Sequence, residues 1–152
     1  MHKLEPEEVK DILLGGAERH RKWVQDKINE YVGLGFVFYQ ASLSEDDFYK
    51  LVYNSETISS CSLKDAADVF LKNKCENFNI EKLRKSMSEG GYDSTSFLFL
   101  RQLYLEEDSN GSYYIDNGLH RALALASLLR EGREGIDYSR IPAIIAFKKP
   151  PT

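Results

Sequence analysis

The stretch that decides the fold is YYIDNGLHRALALASLL, residues 113–129. Its aromatic and β-branched start predicts a short strand. The Ala- and Leu-rich run over residues 119–131 predicts a helix that is apolar nearly all round and therefore buried. Only Asp116-Asn117-Gly118 separates the two elements. We therefore expect a strand that passes directly, through a tight junction, into a buried helix.

This junction has the residues of an anion-binding turn. The first turn of a helix carries unpaired N–H groups and a partial positive charge of about half a unit. Gly118 lacks the Cβ that would block an anion, and Leu119, His120 and Arg121 open the helix. The planar Arg121 guanidinium matches two phosphate oxygens. We predict a phosphate site here. In the structural alternative, Arg121 pairs with Asp116 or a C-terminal carbonyl, and His120 is an ordinary turn histidine.

Outward from this junction, the sequence predicts a small mixed sheet with packed helices. Apolar residues at steps of three and four predict helices, and β-branched or aromatic runs predict strands. The predicted strands are 36–41, 97–103, 113–115 and 141–147, and the predicted helices lie within 5–32, split at Gly15-Gly16, and over 45–52, 63–74, 80–89 and 119–131. We therefore expect an α+β fold, with residues 1–35 as an N-terminal helical extension and 36–152 as an α/β domain.

Composition places the chain among ordinary globular proteins. Of its 152 residues, 42% are hydrophobic and 29% charged, and the formal net charge is -4. That charge argues weakly against a nucleic-acid binder that relies on global charge. The two cysteines and three histidines show no zinc spacing, and no apolar run reaches the ~18–20 residues of a membrane span. We expect a cytoplasmic protein without a membrane partner, or a segment of a larger protein.

Four segments in order resemble the ParB/sulfiredoxin superfamily: LRKSMSEGG at 83–91, the strand at 97–103, YIDNGLHRA at 114–122 and IPAII at 141–145. The resemblance covers about residues 76–147, with a looser match near 36–44. It implies a nucleotide site in which Gly118, His120 and Arg121 contact phosphate and Asp116 takes the acidic turn position. Members include CTP-hydrolysing DNA clamps, ATP-dependent sulfinic-acid reductases, a free-serine kinase and nucleases. Leu119 replaces the reductase cysteine, so sulfinic-acid reduction is not expected.

Three functions follow as expectations. The first is binding of a nucleoside triphosphate with Mg²⁺ and hydrolysis or transfer of its phosphate, with Asp116 and His120 catalytic and residues 118–121 holding the nucleotide. The second is a nuclease or toxin-type effector that holds a nucleic-acid phosphate at the same turn, assisted by the basic cluster Arg19–Lys22. The third is a non-catalytic partner-binding module of the same fold. No metal ligands are assigned.

Other candidates each have a structural alternative. The cluster Arg19–Lys22 is either a phosphate grip or a solvated helix face that pairs with Glu18 and Asp26. The run Glu45–Asp47 is either a Mg²⁺ or general-base site or a helix N-terminus. Residues 93–96 either line the phosphate site or form an ordinary loop. Tyr113, Tyr114 and Trp23 are expected in the core or as base-stacking neighbours rather than as catalysts.

Overall fold

The computed structural model describes residues 1–14, 21–73, 78–93, 96–102 and 113–148. Within these ranges the chain forms six helices and seven strands, which confirms the predicted α+β class. The strands are β1 His2–Leu4, β2 Val37–Leu43, β3 Val52–Tyr53, β4 Cys61–Ser62, β5 Leu98–Gln102, β6 Tyr113–Asn117 and β7 Ile141–Phe147. The helices are α1 Pro6–Leu14, α2 Arg21–Gly33, α3 Glu45–Lys50, α4 Leu63–Asn73, α5 Phe78–Gly90 and α6 Leu119–Arg130.

One mixed sheet holds the strands in the order β1-β2-β7-β5-β6-β3-β4. The predicted strand 141–147 lies inside the sheet as β7, antiparallel to β2 and parallel to β5. β5 and β6 pair antiparallel. The sequence predicts a hairpin turn over residues 106–111, where Asn110-Gly111 can supply positive φ, but these residues lie outside those that the structure describes. Strands β1, β3 and β4 were not predicted, because two or three residues carry no readable periodicity.

The sheet separates two hydrophobic cores. Leu98, Leu100 and Ile145 point to the side of α4, α5 and α6, while Phe99 and Ile144 point to the side of α1 and α2. This alternation follows from the two-residue period of a strand. The two faces therefore offer chemically separate surfaces.

Helix α6 is buried along most of its length, as its composition predicted. Residues 122–128 are all buried, and α6 is in contact with both α4 and α5. Its first turn, Leu119 to Arg121, is only partly buried. The apolar body of the helix thus anchors a more accessible N-terminus.

Local signals place several other helices. Ser44 Oγ accepts a hydrogen bond from the Asp47 backbone N–H at 3.2 Å, and Ser62 Oγ accepts one from Asp65 at 3.1 Å. Both contacts are N-caps, which satisfy otherwise unpaired helix donors. The predicted starts of α3 and α4 are therefore confirmed.

The N-terminal segment forms more than the predicted helical extension. β1 pairs with β2, so residues 2–4 belong to the sheet. Val9 of α1 and Val24 and Ile28 of α2 are buried in the core on that side. The Gly15-Gly16 break between the two helices lies outside the described residues. None of the described helices has the length and apolar character needed to cross a bilayer.

Candidate anion-binding site

The N-terminus of α6 is built around Gly118, which is its N-cap residue. Gly118 adopts a left-handed conformation with φ of 96°, which residues with a Cβ rarely adopt. A Cβ at this position would lie 2.5 Å from Leu98 Cδ2 and 2.8 Å from Arg121 Nη2. Gly118 therefore permits both the turn from β6 into α6 and the close approach of the Arg121 guanidinium.

Arg121 places a cation at the positive end of the helix. Its Nη2 donates to the Phe97 carbonyl oxygen at 3.3 Å, a long hydrogen bond. It forms no ion pair with a carboxylate of the described residues, and the first turn of α6 contains no acidic residue. The structural alternative named Asp116 or a C-terminal carbonyl as the partner of Arg121. The acceptor is instead the Phe97 carbonyl, directly before β5.

A cavity of about 140 Å³ adjoins this guanidinium. It lies between the end of α5 and the segment that leads to β5, and its wall contains Leu83, Ser86, Met87, Gly91, Tyr92, Asp93, Ser96 and Arg121. The structure therefore places Asp93 and Ser96 beside Arg121, as the phosphate-site interpretation of 93–96 requires. Ser94 and Thr95 lie outside the described residues.

Two polar groups in the wall differ in how they are satisfied. The Ser96 hydroxyl donates to Asp93 Oδ2 at 3.0 Å. The Tyr92 hydroxyl is buried and has no hydrogen-bond partner among the residues that the structure describes. Burial raises the pKa of Tyr92, so its phenol stays a neutral donor. A buried donor without a partner costs about 1–3 kcal/mol. The hydroxyl oxygen has almost no accessible surface, so a ligand in the cavity would not contact it without a rearrangement. Sequence reasoning did not single out Tyr92, because a lone tyrosine after a glycine pair carries no motif.

His120 and Leu119 complete the first turn. His120 is half-buried and forms no hydrogen bond or ion pair with the described part of the chain. Leu119 packs against the core on the α6 side. Its contribution to an anion site would therefore come from its backbone N–H, which no side chain caps.

The carboxylate of Asp116 belongs to a different cluster. It accepts a hydrogen bond from the Tyr31 hydroxyl of α2, and Arg101 Nε lies 3.8 Å from its Oδ2. Burial raises the pKa of Asp116, although the Tyr31 hydrogen bond and the Arg101 charge oppose the rise. The pairing register shifts between Phe99 and Leu100, which leaves Asp116 as the extra residue of a β-bulge.

The structure therefore does not bring Asp116 together with Arg121. The two residues are five positions apart, yet their side chains have separate partners on α2 and at Phe97. The catalytic role predicted for Asp116 therefore stays a prediction, without geometric support at this cavity. Bulges are frequent beside functional sites, where they redirect a side chain, but a bulge leaves no clear pattern in a sequence.

The remaining candidates lie elsewhere. Arg21 and Lys22 are exposed at the start of α2, whereas Arg19 and His20 lie outside the described residues. Residues 45–47 form the acidic first turn of α3. No group of three or more His, Cys, Asp or Glu side chains in the described ranges is arranged to hold a metal ion.

The three aromatic candidates differ in how far they are buried. Tyr113 packs edge-on against Phe147 with ring centroids 5.7 Å apart, and Tyr114 lies under the Arg101 guanidinium. Trp23 remains 42% exposed on α2.

Fold and site together define an α+β protein with a small cavity at the N-terminus of a buried helix, lined by Arg121 and Asp93 among others. Comparisons with protein-family models, curated proteins and solved structures gave no match. The ParB/sulfiredoxin resemblance therefore stays a prediction, and the function is argued from the geometry.

Proposed function

We propose that the cavity at the N-terminus of α6 binds the phosphate of a nucleotide. The observation that carries this conclusion is the Arg121 guanidinium in the first turn of α6, without a carboxylate partner among the described residues. A cation at this end of a helix is disfavoured, by roughly 0.3–1 kcal/mol at an exposed site. A bound anion reverses the sign of that interaction and accepts hydrogen bonds from the uncapped backbone N–H groups.

The size of the cavity limits what it can enclose. Its volume of about 140 Å³ is smaller than the roughly 300–1,000 Å³ of pockets that enclose a whole small-molecule ligand. The cavity would therefore hold the phosphate end, while sugar and base lie over the neighbouring surface. Arg121 would supply charge-assisted donors, and the uncapped backbone N–H groups at the start of α6 neutral ones.

Hydrolysis or transfer of the phosphate is the catalytic form of this proposal. His120 is its proton-transfer residue, since it lies in the same helix turn and has no partner in the described structure. Mg²⁺ in such sites is held largely by substrate phosphates and water, so it would enter with the nucleotide. The protein's contribution would be orientation and charge stabilisation.

Isothermal titration with ATP, CTP and GTP in Mg²⁺ tests the binding step. We expect Arg121→Gln to weaken binding roughly 10- to 150-fold, because a hydrogen bond to a charged group contributes about 1.5–3 kcal/mol. Arg130→Gln is the matched control, since Arg130 ends the same helix and pairs with Asp68. Absence of binding at millimolar nucleotide by folded protein would contradict the proposal, as would equal losses in both variants.

Phosphate release then separates an enzyme from a binding module. If the catalytic form is correct, His120→Ala retains nucleotide binding but loses release of inorganic phosphate. Wild-type protein that binds nucleotide without turnover would contradict the catalytic form and leave phosphate binding intact.

A further inference from the structure

A second surface, separate from the α6 cavity, carries cations paired with aromatic rings. It lies on the side of α2, around the exposed ends of β5, β6 and β7. We call it the aromatic–cation strip and define it by Trp23, Lys27, Tyr31, Phe36, Arg101, Tyr114 and Lys148.

The pairs in this strip are close. Lys27 Nζ lies 6.0 Å from the Trp23 ring centroid and 5.4 Å from that of Tyr31. Arg101 Cζ lies 4.9 Å from the Tyr114 centroid. These distances lie within the range of about 6 Å at which a cation is attracted to a ring face.

Lys148 and Phe36 continue the strip beyond the end of β7. Lys148 Nζ lies 5.9 Å from the Phe36 ring centroid. Phe36 in turn packs on Tyr31, with centroids 4.9 Å apart. The rings and cations therefore follow one another along the surface rather than forming isolated pairs.

The strip borders a cavity of about 220 Å³ lined by Lys27, Glu30, Tyr31, Leu34, Phe36 and Arg101. The internal ion pairs there are loose: Lys27 Nζ lies 3.9 Å from Glu30 Oε2, and Arg101 Nε lies 3.8 Å from Asp116 Oδ2. Charge-assisted hydrogen bonds are about 2.7–2.9 Å long. Because these ion pairs are longer, the cations keep donor capacity for an external anion.

We propose that the aromatic–cation strip binds single-stranded nucleic acid, with bases stacked on the accessible rings of Trp23, Phe36 and Tyr114 and phosphates held by its cations. Tyr31 is buried and supports Phe36 rather than offering a stacking face. Trp23 is 42% exposed and offers a stacking surface at one end. From Trp23 to its end at Gly33, α2 extends about 15 Å at about 1.5 Å per residue, room for several bases at a stacked rise of about 3.4 Å. Proteins that bind single-stranded nucleic acid commonly combine aromatic side chains that stack with the bases and cations that contact the backbone phosphates.

The overall charge of -4 makes this a local interaction. It does not attract polynucleotides at long range, so binding should be strongest at low salt. This inference does not depend on nucleotide binding at α6, because the two sites share no residue.

Fluorescence provides a direct test, because Trp23 is the chain's one tryptophan. We expect oligothymidylate or oligouridylate to quench its emission at low salt. The logarithm of the binding constant should fall with the logarithm of salt concentration, by about 0.7 per phosphate contact. Absence of quenching and of binding to a labelled oligonucleotide would overturn the proposal.

Variants separate the strip from general charge effects. Lys27→Gln should weaken binding and reduce the salt slope by about 0.7, whereas Lys64→Gln, exposed on α4, should do neither. Trp23→Ala should weaken binding of a labelled oligonucleotide about tenfold, and Trp23→Phe should restore most of it. Equal losses in Lys27→Gln and Lys64→Gln would overturn the proposal.

The α6 site gives the last control. Arg121→Gln should leave oligonucleotide binding unchanged, even where it abolishes nucleotide binding. Loss of oligonucleotide binding in Arg121→Gln, with Lys27→Gln unaffected, would place the strand at α6 and overturn the assignment to the strip.

Discussion

Replacing Gly118 by alanine should destabilise the protein through two separate effects. The left-handed backbone at φ 96° costs a residue with a Cβ about 1–2 kcal/mol. The new Cβ would also lie 2.5 Å from Leu98 Cδ2, and Leu98 is fully buried and cannot move aside freely. Overpacking of this kind costs about 1–3 kcal/mol. We therefore expect Gly118→Ala to lower the free energy of unfolding by roughly 2–5 kcal/mol.

Gly135→Ala isolates the first effect. Gly135 has a similar φ of 83°, but a Cβ there would meet no atom within 4 Å. Its replacement should therefore cost only the backbone strain, about 1–2 kcal/mol. In a chain of this size each kcal/mol shifts Tm by about 2–4 °C. Thermal unfolding should place Gly118→Ala below Gly135→Ala by about 2–12 °C, from the overpacking cost of about 1–3 kcal/mol, and urea titration should give the same order of stability.

Equal melting temperatures for the two variants would refute the close packing of Gly118 against Leu98 and Arg121. The same variants probe function. The added methyl must displace the Arg121 guanidinium, which lies 2.8 Å from its position, so Gly118→Ala should also weaken nucleotide binding. Gly135→Ala should leave that affinity unchanged.

Three further predictions concern charge and burial. Glu131→Ala removes the 2.8 Å ion pair of Arg84, which is only 5% exposed, and should lower the free energy of unfolding in urea by about 2–4 kcal/mol. Asp68→Ala breaks an exposed ion pair and should cost less than about 1 kcal/mol. Equal costs in the two variants would contradict a stabilising role for the buried ion pair. Burial chiefly raises the pKa of Tyr138 from 10.0 to about 12, so the stability that this group contributes below pH 10 should decline as the pH rises from 10 toward 12. Tyr138→Phe should reduce that decline while costing about 1 kcal/mol at neutral pH. An unchanged dependence of stability on pH in Tyr138→Phe would contradict the raised pKa. His120→Asp should be more stable than His120→Asn by about 0.3–1 kcal/mol, because a negative charge is favourable at a helix N-terminus. The same charge should weaken nucleotide binding by repelling the phosphate. Equal nucleotide affinities of the two variants in calorimetric titration would argue against a phosphate in that turn.

Elements with a strong local pattern were predictable from the sequence. The apolar run of α6 and the β-branched run of β7 are each long enough to be predicted from their composition, and the N-caps Ser44 and Ser62 act within a few residues of themselves. β1 could not be found in the same way, because its three residues form a strand through their pairing with β2.

The site was predictable only where it is local. Gly118 and Arg121 meet because both belong to one helix start, so their spacing sets their contact. Tyr92, which follows the C-terminus of α5, lines the same cavity as Arg121. The spacing of the two residues in the sequence does not show that they lie close together. The Tyr31–Asp116 contact joins residues 85 positions apart, and it depends on how α2 packs on the sheet.

Asp116 shows how the fold, rather than the motif, sets the charge of the α6 cavity. It is the carboxylate nearest to Arg121 in the sequence, and at the helix start it would neutralise both the guanidinium and the positive helix end. The bulge in β6 and the Tyr31 hydroxyl hold it on the α2 side instead. Asp93, in the cavity wall, already accepts from Ser96. The same packing that separates Asp116 from the predicted catalytic turn therefore keeps a second carboxylate away from Arg121, and Asp93 is the one carboxylate among the described residues that line the cavity.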